Sequence, residues 1–302
     1  MLYDYSGETI SRAYDCDGNL LSRVYDADGD MISNHAVSDQ FTRTLMFKPS
    51  VPTGTQGIAC DSITQTIAQL YAGKICLVDV SDGSYVDLGY INLGHGNTGQ
   101  FAPTRESGQE YPLLYVSGYT NTINDSLYIC LLEVACTSSS ATLNKTYAIP
   151  VVSGLTGTLQ TCIDFENSIV YTVAASTYYG EADYTYITAW DMSTTTLLSE
   201  NVYALTNKLD EFQIPFILEM QACTFFDGLI VALSDKSLLS NKYCQFIDVT
   251  EKEVYMTIQG SKLQLGGELE GVGFLYNDTT QKYDMIVSQR NNGQEYYRYE
   301  FV

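Results

Sequence analysis

Five segments of the sequence each place an amide or a carboxyl group just ahead of a small or medium apolar residue. The segments read TQGIACD, GQFAPTR, LQTCIDF, MQACTFF and LEGVGFL. Aligned, they give a polar column and, two positions later, an apolar one: Gln56, Gln100, Gln160, Gln221 and Glu270, then Ile58, Ala102, Cys162, Cys223 and Val272. Such a ring of polar groups at one mouth of a channel could bind a ligand through hydrogen bonds. It could equally hold water and backbone groups, which buried amides require, and the sequence leaves both open.

Aromatic and amide side chains are predicted to surround that ring. His95 and Asn97 lie on the connection into the second segment, on the same face as the column. Long loops should open on this face as well, and one of them contains Tyr178 and Tyr179. Tyrosine offers a flat stacking surface and asparagine adaptable hydrogen bonds, a mixture typical of recognition loops. We therefore predict a ligand-binding face, and a sugar or a cell-surface glycan would suit it.

Evidence for catalysis is weaker. The chain has two histidines, His35 and His95, and no GxSxG, HExxH or P-loop motif. The letters of GHGNTG match a dinucleotide fingerprint, but a strand is predicted to follow where that site needs a helix. Carboxylates near the five segments leave a glycoside hydrolase as an alternative. Its candidates are Asp61, Glu106, Asp164 and Glu270. We predict no catalytic residue, no cofactor and no metal, and favour a non-enzymatic protein.

These residues must be positioned by a repeated element. An acidic residue followed by an apolar one ends a β-rich run five times, with 54, 58, 57 and 52 residues between successive acidic positions. The acidic positions are Asp79, Glu133, Asp191, Asp248 and Glu300. Self-similarity at such a period indicates a repeat architecture. We predict an all-β, five-bladed β-propeller in which these acids accept hydrogen bonds in the turn that follows, with a two-sheet sandwich as the alternative.

The repeat also predicts how the ring closes. The blades are expected at about 54–98, 99–154, 155–212, 213–266 and 267–302 plus 41–50. The fifth unit ends after three strands, and the alternating segment FTRTLMF at 41–47 is predicted to pair with 296–301 as its fourth. This pairing would also protect an exposed edge. The fourth strand of the third unit is predicted at 197–205.

A different repeat occupies residues 1–33. The dipeptides Tyr3-Asp4, Tyr14-Asp15 and Tyr25-Asp26 recur every 11 residues, each followed by a glycine turn signal. We predict a small β-hairpin or meander over 1–33 that serves as an attachment module, a linker over 34–40 and the propeller over 41–302. Such short pieces need a partner surface or another copy of the module. Alternating carboxylates at 26, 28 and 30 suggest calcium, but the later Gly and Glu of an EF-hand loop are missing, so a plain hairpin turn is preferred.

The overall charge restricts the classes of partner that this protein is expected to bind. Thirty-six acidic residues against 15 basic ones give a formal net charge of −21. Such a surface repels phosphate backbones and anionic membranes, so neither nucleic acid nor a membrane is an expected partner. The N-terminal segment has no secretory signal, which predicts synthesis in the cytoplasm. The cysteines, which lie in apolar strand runs, are expected to be reduced and buried.

Two resemblances add to this interpretation. The stretch KICLVDVSDGSYVDLGYINLGH resembles the blades of YVTN, NHL and WD-like propellers, and the Tyr-Asp-x-x-Gly repeat resembles N-terminal segments of phage tail and virion proteins. The second resemblance implies a virion or tail-associated structural or receptor-binding protein, with the N-terminal module bound to other virion proteins and homo-oligomerisation as a further expectation. Blade repeats imply architecture rather than activity. The alternatives are an intracellular propeller scaffold that binds another protein and, third, the glycoside hydrolase.

Overall fold

The computed structural model describes residues 23–25, 31–33, 40–48 and 55–301, apart from 72, 95, 97, 124–125, 152–156, 177–183, 216, 218–219, 237–240 and 291–292. Ahead of the propeller, β1 (Arg23–Tyr25) and β2 (Met31–Ser33) pair antiparallel as a small hairpin. The acidic positions 26, 28 and 30, considered above for calcium, lie outside the described residues. Within the described part of the chain, no helix combines the length and apolar character needed to span a membrane.

The other strands form five small sheets arranged as a five-bladed β-propeller, which confirms the predicted fold class. After β3 (Phe41–Phe47), blade 1 contains β4 (Thr55–Asp61), β5 (Thr66–Tyr71), β6 (Lys74–Asp79) and β7 (Tyr85–Tyr90). Blade 2 contains β8 (Thr98–Phe101), β9 (Leu114–Ile123), β10 (Ser126–Cys136) and β11 (Ala141–Pro150). Blade 3 begins with β12 (Gly157–Asp164), β13 (Ile169–Ser176) and β14 (Tyr184–Asp191).

The chain continues through β15 (Thr195–Ser199), β16 (Val202–Leu205) and β17 (Lys208–Pro215). Blade 4 contains β18 (Met220–Phe226), β19 (Leu229–Lys236), β20 (Asn241–Asp248) and β21 (Glu253–Gln259), followed by the single turn α1 (Gly260–Leu263). Blade 5 contains β22 (Glu268–Asn277), β23 (Lys282–Arg290) and β24 (Gln294–Phe301). The innermost strands are β4, β8, β12, β18 and β22, and hydrophobic clusters fill the spaces between neighbouring blades.

The ring is closed as the sequence predicts. The strand β3 pairs antiparallel with β24, with Phe41 opposite Phe301 and Arg43 opposite Tyr299. The ring of Phe47 lies 5.0 Å from that of Tyr296, and the ring of Phe41 lies 5.3 Å from that of Tyr299. Both tyrosines are fully buried. Large aromatic surfaces buried in this way dominate core energetics, so β3 is an integral strand of blade 5.

The predicted fourth strand of the third unit is wrong. The segment at 197–205 does not join blade 3, because β15 and β16 form a hairpin whose β16 pairs parallel with β11 of blade 2. The fourth strand of blade 3 is β17, which pairs with β14. Blade 2 therefore has six strands where the other blades have four. The error has a physical cause, since the choice between two sheet edges is made by tertiary packing rather than by local pattern.

The repeated acids mark one end of the ring. Asp79, Asp191 and Asp248 each accept a hydrogen bond from the backbone amide two residues ahead, at 2.7–2.8 Å, which confirms their predicted place in the turns. Glu133 differs, because its carboxylate accepts bonds from the hydroxyls of Tyr115 and Tyr147, both at 3.1 Å, rather than from the following turn. We call this the turn end of the propeller. The opposite end, where the inner strands begin, is the mouth end.

Candidate ligand-binding site at the mouth end

The predicted polar column lies along the axis, where the amides of Gln100 and Gln160 bond to other inner strands. Gln160 is 1% exposed, and its Nε2 donates to the backbone oxygens of Met220 and Gln221 at 3.1 and 3.0 Å. Because the acceptors belong to the inner strand of blade 4, Gln160 ties blade 3 to blade 4. Each such bond contributes about 1 kcal/mol, and a buried amide left without partners costs more.

Gln100 lies deeper than the alignment suggests. Its Oε1 accepts from the amide of Ile163 at 2.6 Å, and its Nε2 donates to the carbonyls of Ile163 and Phe225 at 3.1 and 3.4 Å. The nearby Thr98 hydroxyl bonds to the carbonyl of Thr161, which fixes the same relative height of blades 2 and 3. Gln100 is therefore about three residues, or roughly 10 Å, further along the axis than Gln160. It spans blades 2, 3 and 4 and fills the axis.

Close backbone packing also narrows the axis. A Cβ added at Gly271 would lie 2.7 Å from the backbone nitrogen of Ile58, and one added at Gly273 would lie 2.7 Å from the sulfur of Cys60. The two glycines thus allow the inner strands of blades 5 and 1 to touch. Because Gln100 reaches across the axis below Gln160, access for a ligand is expected from the mouth end.

Glu270 is the electrostatically unusual member of the column. It is 2% exposed, and its Oε1 has no hydrogen-bond partner. The nearest cation is the Nε of Arg290 at 3.8 Å, and this guanidinium also bonds to Glu268. Burial first, and then the charges of Glu268 and Asp235, raise the pKa of Glu270 to about 8, against an opposing effect of Arg290. At neutral pH this side chain is therefore mostly a neutral carboxylic acid, able to donate as well as accept a hydrogen bond.

Asp235 links blade 4 to the start of the inner strand of blade 5. It is fully buried, and its Oδ2 accepts from the amide of Leu269 at 2.8 Å and from the Nζ of Lys242 at 3.0 Å. Lys242 donates in addition to the carbonyl of Gly267. Asp235, Lys242, Glu268, Glu270 and Arg290 form what we call the mouth cluster. Sequence reasoning found only Glu270 of these five; the signal for the others would have been the need of a buried acid for a cation on an adjacent strand.

A second polar network supports the same end of blade 5. The Oε1 of Gln289 accepts from the amides of Gly266 and Gly267 at 3.2 Å, and its Nε2 donates to Glu295 at 2.7 Å. Glu295 also accepts from the Tyr297 hydroxyl at 2.8 Å and pairs with Lys48, at the end of β3. The network fixes the loop that leads into β22. It therefore holds the backbone around the mouth cluster in place.

The remaining predicted site residues divide into two groups. Gln56 and Gln221 are half-buried at the beginning of β4 and β18, at the mouth end. His95, Asn97, Tyr178 and Tyr179 lie outside the described residues. The mouth end thus brings together Gln56, Gln160, Gln221 and Glu270, whereas Gln100 is deeper. The ligand-binding role of all nine residues stays a prediction.

Glu270 does not meet the other carboxylates suggested for glycoside hydrolysis. Asp61 and Asp164 bond to the amides of Ile63 and Asn167 in turns at the far ends of their strands, and Glu106 is exposed. Gly271 packs level with Ile58, so Asp61 lies roughly 13 Å further along the axis than Glu270. Glycosidases hold their two carboxyl groups at most about 9.5 Å apart. Among the described residues, no group of three or more His, Cys, Asp or Glu side chains is placed to hold a metal ion.

Comparisons with known proteins show similarity in fold and none in sequence. No model of a known protein family matches the chain, and no curated protein sequence matches it. A solved tail fibre of Staphylococcus aureus phage P68 superposes with a TM-score of 0.51 at 13% identity, covering 86% of this chain and 52% of that chain. The PQQ-bound aldose sugar dehydrogenase from Streptomyces coelicolor gives a TM-score of 0.49 at 8% identity, covering 87% of this chain and 99% of that chain. The superposition on the tail fibre shows similarity of fold alone, and an identity this low shows nothing of substrate or partner.

Proposed function

We propose that this protein is a non-enzymatic structural component of a virion or phage tail, in which the N-terminal module attaches to the assembly and the propeller recognises a receptor. Within this proposal the blades belong to the broad class of YVTN, NHL and WD-like repeats. The similarity in fold to the phage tail fibre supports the proposal.

One observation carries the proposal. Phe41 pairs with Phe301 at the turn end, so the N-terminal segment enters the ring at the end opposite to the mouth cluster. An attachment module that enters at one end leaves the other end free for a ligand. Because β3 is a strand of blade 5, the N-terminal module is joined directly to a hydrogen-bonded strand of the propeller.

The proposed ligand is a cell-surface glycan bound at the mouth end. The half-buried amides of Gln56 and Gln221 offer uncharged donors and acceptors at the mouth end. Sugars are recognised by such groups together with aromatic stacking surfaces, which Tyr178 and Tyr179 would supply from the adjoining loop. His95 and Asn97 would complete the same face.

A truncation tests the attachment role. Removing residues 1–40 leaves β3 intact, so the propeller should keep the unfolding temperature of the full chain but lose incorporation into particles, or self-association if the module mediates it. Removing residues 1–54 serves as the control, because it also deletes β3 and should destabilise the ring. An intracellular scaffold would instead retain its partner after the shorter truncation. Full incorporation without residues 1–40 would refute attachment through the module.

A glycan array tests the recognition role with the full chain. We expect binding to a restricted set of glycans, lost when Tyr178 and Tyr179 are both changed to Ala. The matched control is Tyr85→Ala together with Tyr283→Ala, because both tyrosines are exposed and lie near the turn end, opposite the mouth. No binding to any glycan, or binding unaffected by the first pair of substitutions, would sink the glycan hypothesis.

A further inference from the structure

The outer edge of blade 2 differs from the outer edges of the other four blades. Each of those ends in a strand with at least one charged side chain: Asp87 in β7, Lys208, Asp210 and Glu211 in β17, Glu253 in β21 and Arg43 in β3. The outermost strand of blade 2 is β15, with the sequence TTLLS and no charge. Proteins use charges on edge strands to prevent pairing with another chain. In a chain with a net charge of −21, this uncharged edge stands out as a surface for pairing.

The backbone of β15 is oriented for such pairing. The amide of Thr206 donates to the carbonyl of Thr194, and the register continues with Thr195 opposite Leu205 and Thr196 opposite Ala204. Bonded and non-bonded pairs alternate in an antiparallel ladder. The N–H and C=O groups of Thr195 and Leu197 therefore point away from β16, towards the free edge. Leu197 is 61% exposed on the same strand.

We propose that β15 pairs antiparallel with β15 of a second copy of this chain, about a two-fold axis through Thr196. In this register Thr195 lies opposite Leu197 of the partner subunit. Each residue donates its N–H to the C=O of the other, and the same pair recurs on the other side of the two-fold axis. Four hydrogen bonds form, and the exposed Leu197 packs beside threonine side chains. The paired residues 195–197 carry no charge, so no acidic side chains oppose each other within the paired segment. An isologous contact of this kind closes as a dimer.

A second copy fits this edge better than an arbitrary peptide. The register is self-complementary without any charge, whereas elsewhere two copies of so acidic a chain repel each other. The paired segment is short, and alone it buries less than the roughly 1,000 Å² expected of a stable interface. The dimer should therefore depend on concentration. This inference is independent of the ligand and of the proposed place in a virion.

Sedimentation velocity of the full chain over a series of concentrations tests the proposal. The wild type should shift from monomer to dimer, and Thr196→Lys should weaken dimerisation by up to about fivefold, because like charges directly opposite each other repel. Thr257→Lys is the matched control, since this threonine is also exposed on an outermost strand, β21, and its substitution should leave the dimer unchanged.

Two further experiments distinguish loss of the dimer interface from misfolding of the variant. An equimolar mixture of Thr196→Lys and Thr196→Glu should restore dimers as heterodimers, because opposite charges then meet at the axis. Thr195→Pro should also weaken the dimer while keeping the unfolding temperature, since the lost N–H points to the free edge. A wild type that stays monomeric at its highest soluble concentration would overturn the proposal. So would a dimer that Thr196→Lys does not weaken, or a mixture that fails to restore it.

Discussion

Two acidic side chains at opposite ends of the propeller, Asp191 and Glu270, have opposite environments. At the turn end Asp191 accepts bonds from the Ser193 hydroxyl first, then from Thr194, Asn207 and the Ser193 amide, and these donors hold its pKa well below the ordinary value. At the mouth end Glu270 is buried without a hydrogen-bond partner for Oε1, and its pKa is raised to about 8. Fully satisfied acids stabilise turns, whereas an under-satisfied buried acid is a candidate for function.

The largest loss of folding stability is expected when Asp235 at the mouth end is replaced. We expect Asp235→Ala to reduce the free energy of unfolding by about 3–5 kcal/mol, because it leaves Lys242 part-buried without its carboxylate and Leu269 without its acceptor. Chemical denaturation measures the loss. Asp210→Ala is the control, since its 2.7 Å bridge to Lys252 is more than 40% exposed at both partners. That substitution should cost at most about 1 kcal/mol. Equal losses for the two variants would contradict a special role for burial at the mouth end.

The pH dependence of folding stability tests the raised pKa of Glu270. Its pKa is near 8 in the folded chain against 4.5 as the ordinary value, so the folded state binds more protons between these limits. Stability should therefore fall as pH rises through that window, by about 2–3 kcal/mol between pH 5.5 and 8. Glu270→Gln should remove this component of the slope and be the more stable form at pH 9.

The control for that series is Glu253→Gln, an exposed glutamate on β21. This variant should keep the wild-type dependence of unfolding on pH. Identical slopes for wild type and Glu270→Gln would show that the carboxyl ionises as it does in water.

The smallest effect is expected at the turn end. Asp191→Ala should lower the unfolding temperature at pH 7 by less than Asp235→Ala does, because the turn is exposed and water can replace the lost acceptor. The pKa of Asp191 is depressed, so its contribution is present above the ordinary value of 3.8 and lost as pH falls. The difference between wild type and variant should thus be constant from pH 7 to 5 and shrink in stronger acid. A difference that grows in acid would refute this assignment.

Much of the fold follows from the sequence because the repeat is local and regular. The acidic positions are nearly equally spaced, and a missing strand in the fifth unit has one alternating donor, 41–47, so ring closure could be deduced. The hairpin β15–β16 could not be assigned to blade 2, because a parallel pairing with β11 leaves no mark on either strand. The segment at 208–215 alternates as well as 197–205 does, and only packing separates them.

The site was less accessible from the sequence, for two physical reasons. The inner strand of blade 2 has four residues, so aligning Gln100 with Gln160 by letter placed it about three residues too high. The partners of Glu270 come from strands that vary between blades, and Arg290 and Asp235 sit at the ends of β23 and β19, where no repeat signal exists. Electrostatic partners across strands are set by register, which the pattern of one segment does not reveal.

The closing strand also decides how the molecule would respond to force. Tension applied through the N-terminal segment pulls β3 along its own length from Phe41, parallel to β24. All the cross-strand bonds between Phe41–Phe47 and Tyr296–Phe301 would then be loaded together rather than opened one at a time. Buried rings of Tyr296 and Tyr299 would resist sliding of the two strands. A propeller tethered through its N-terminal segment would lose β3 only after all the bonds between β3 and β24 had broken.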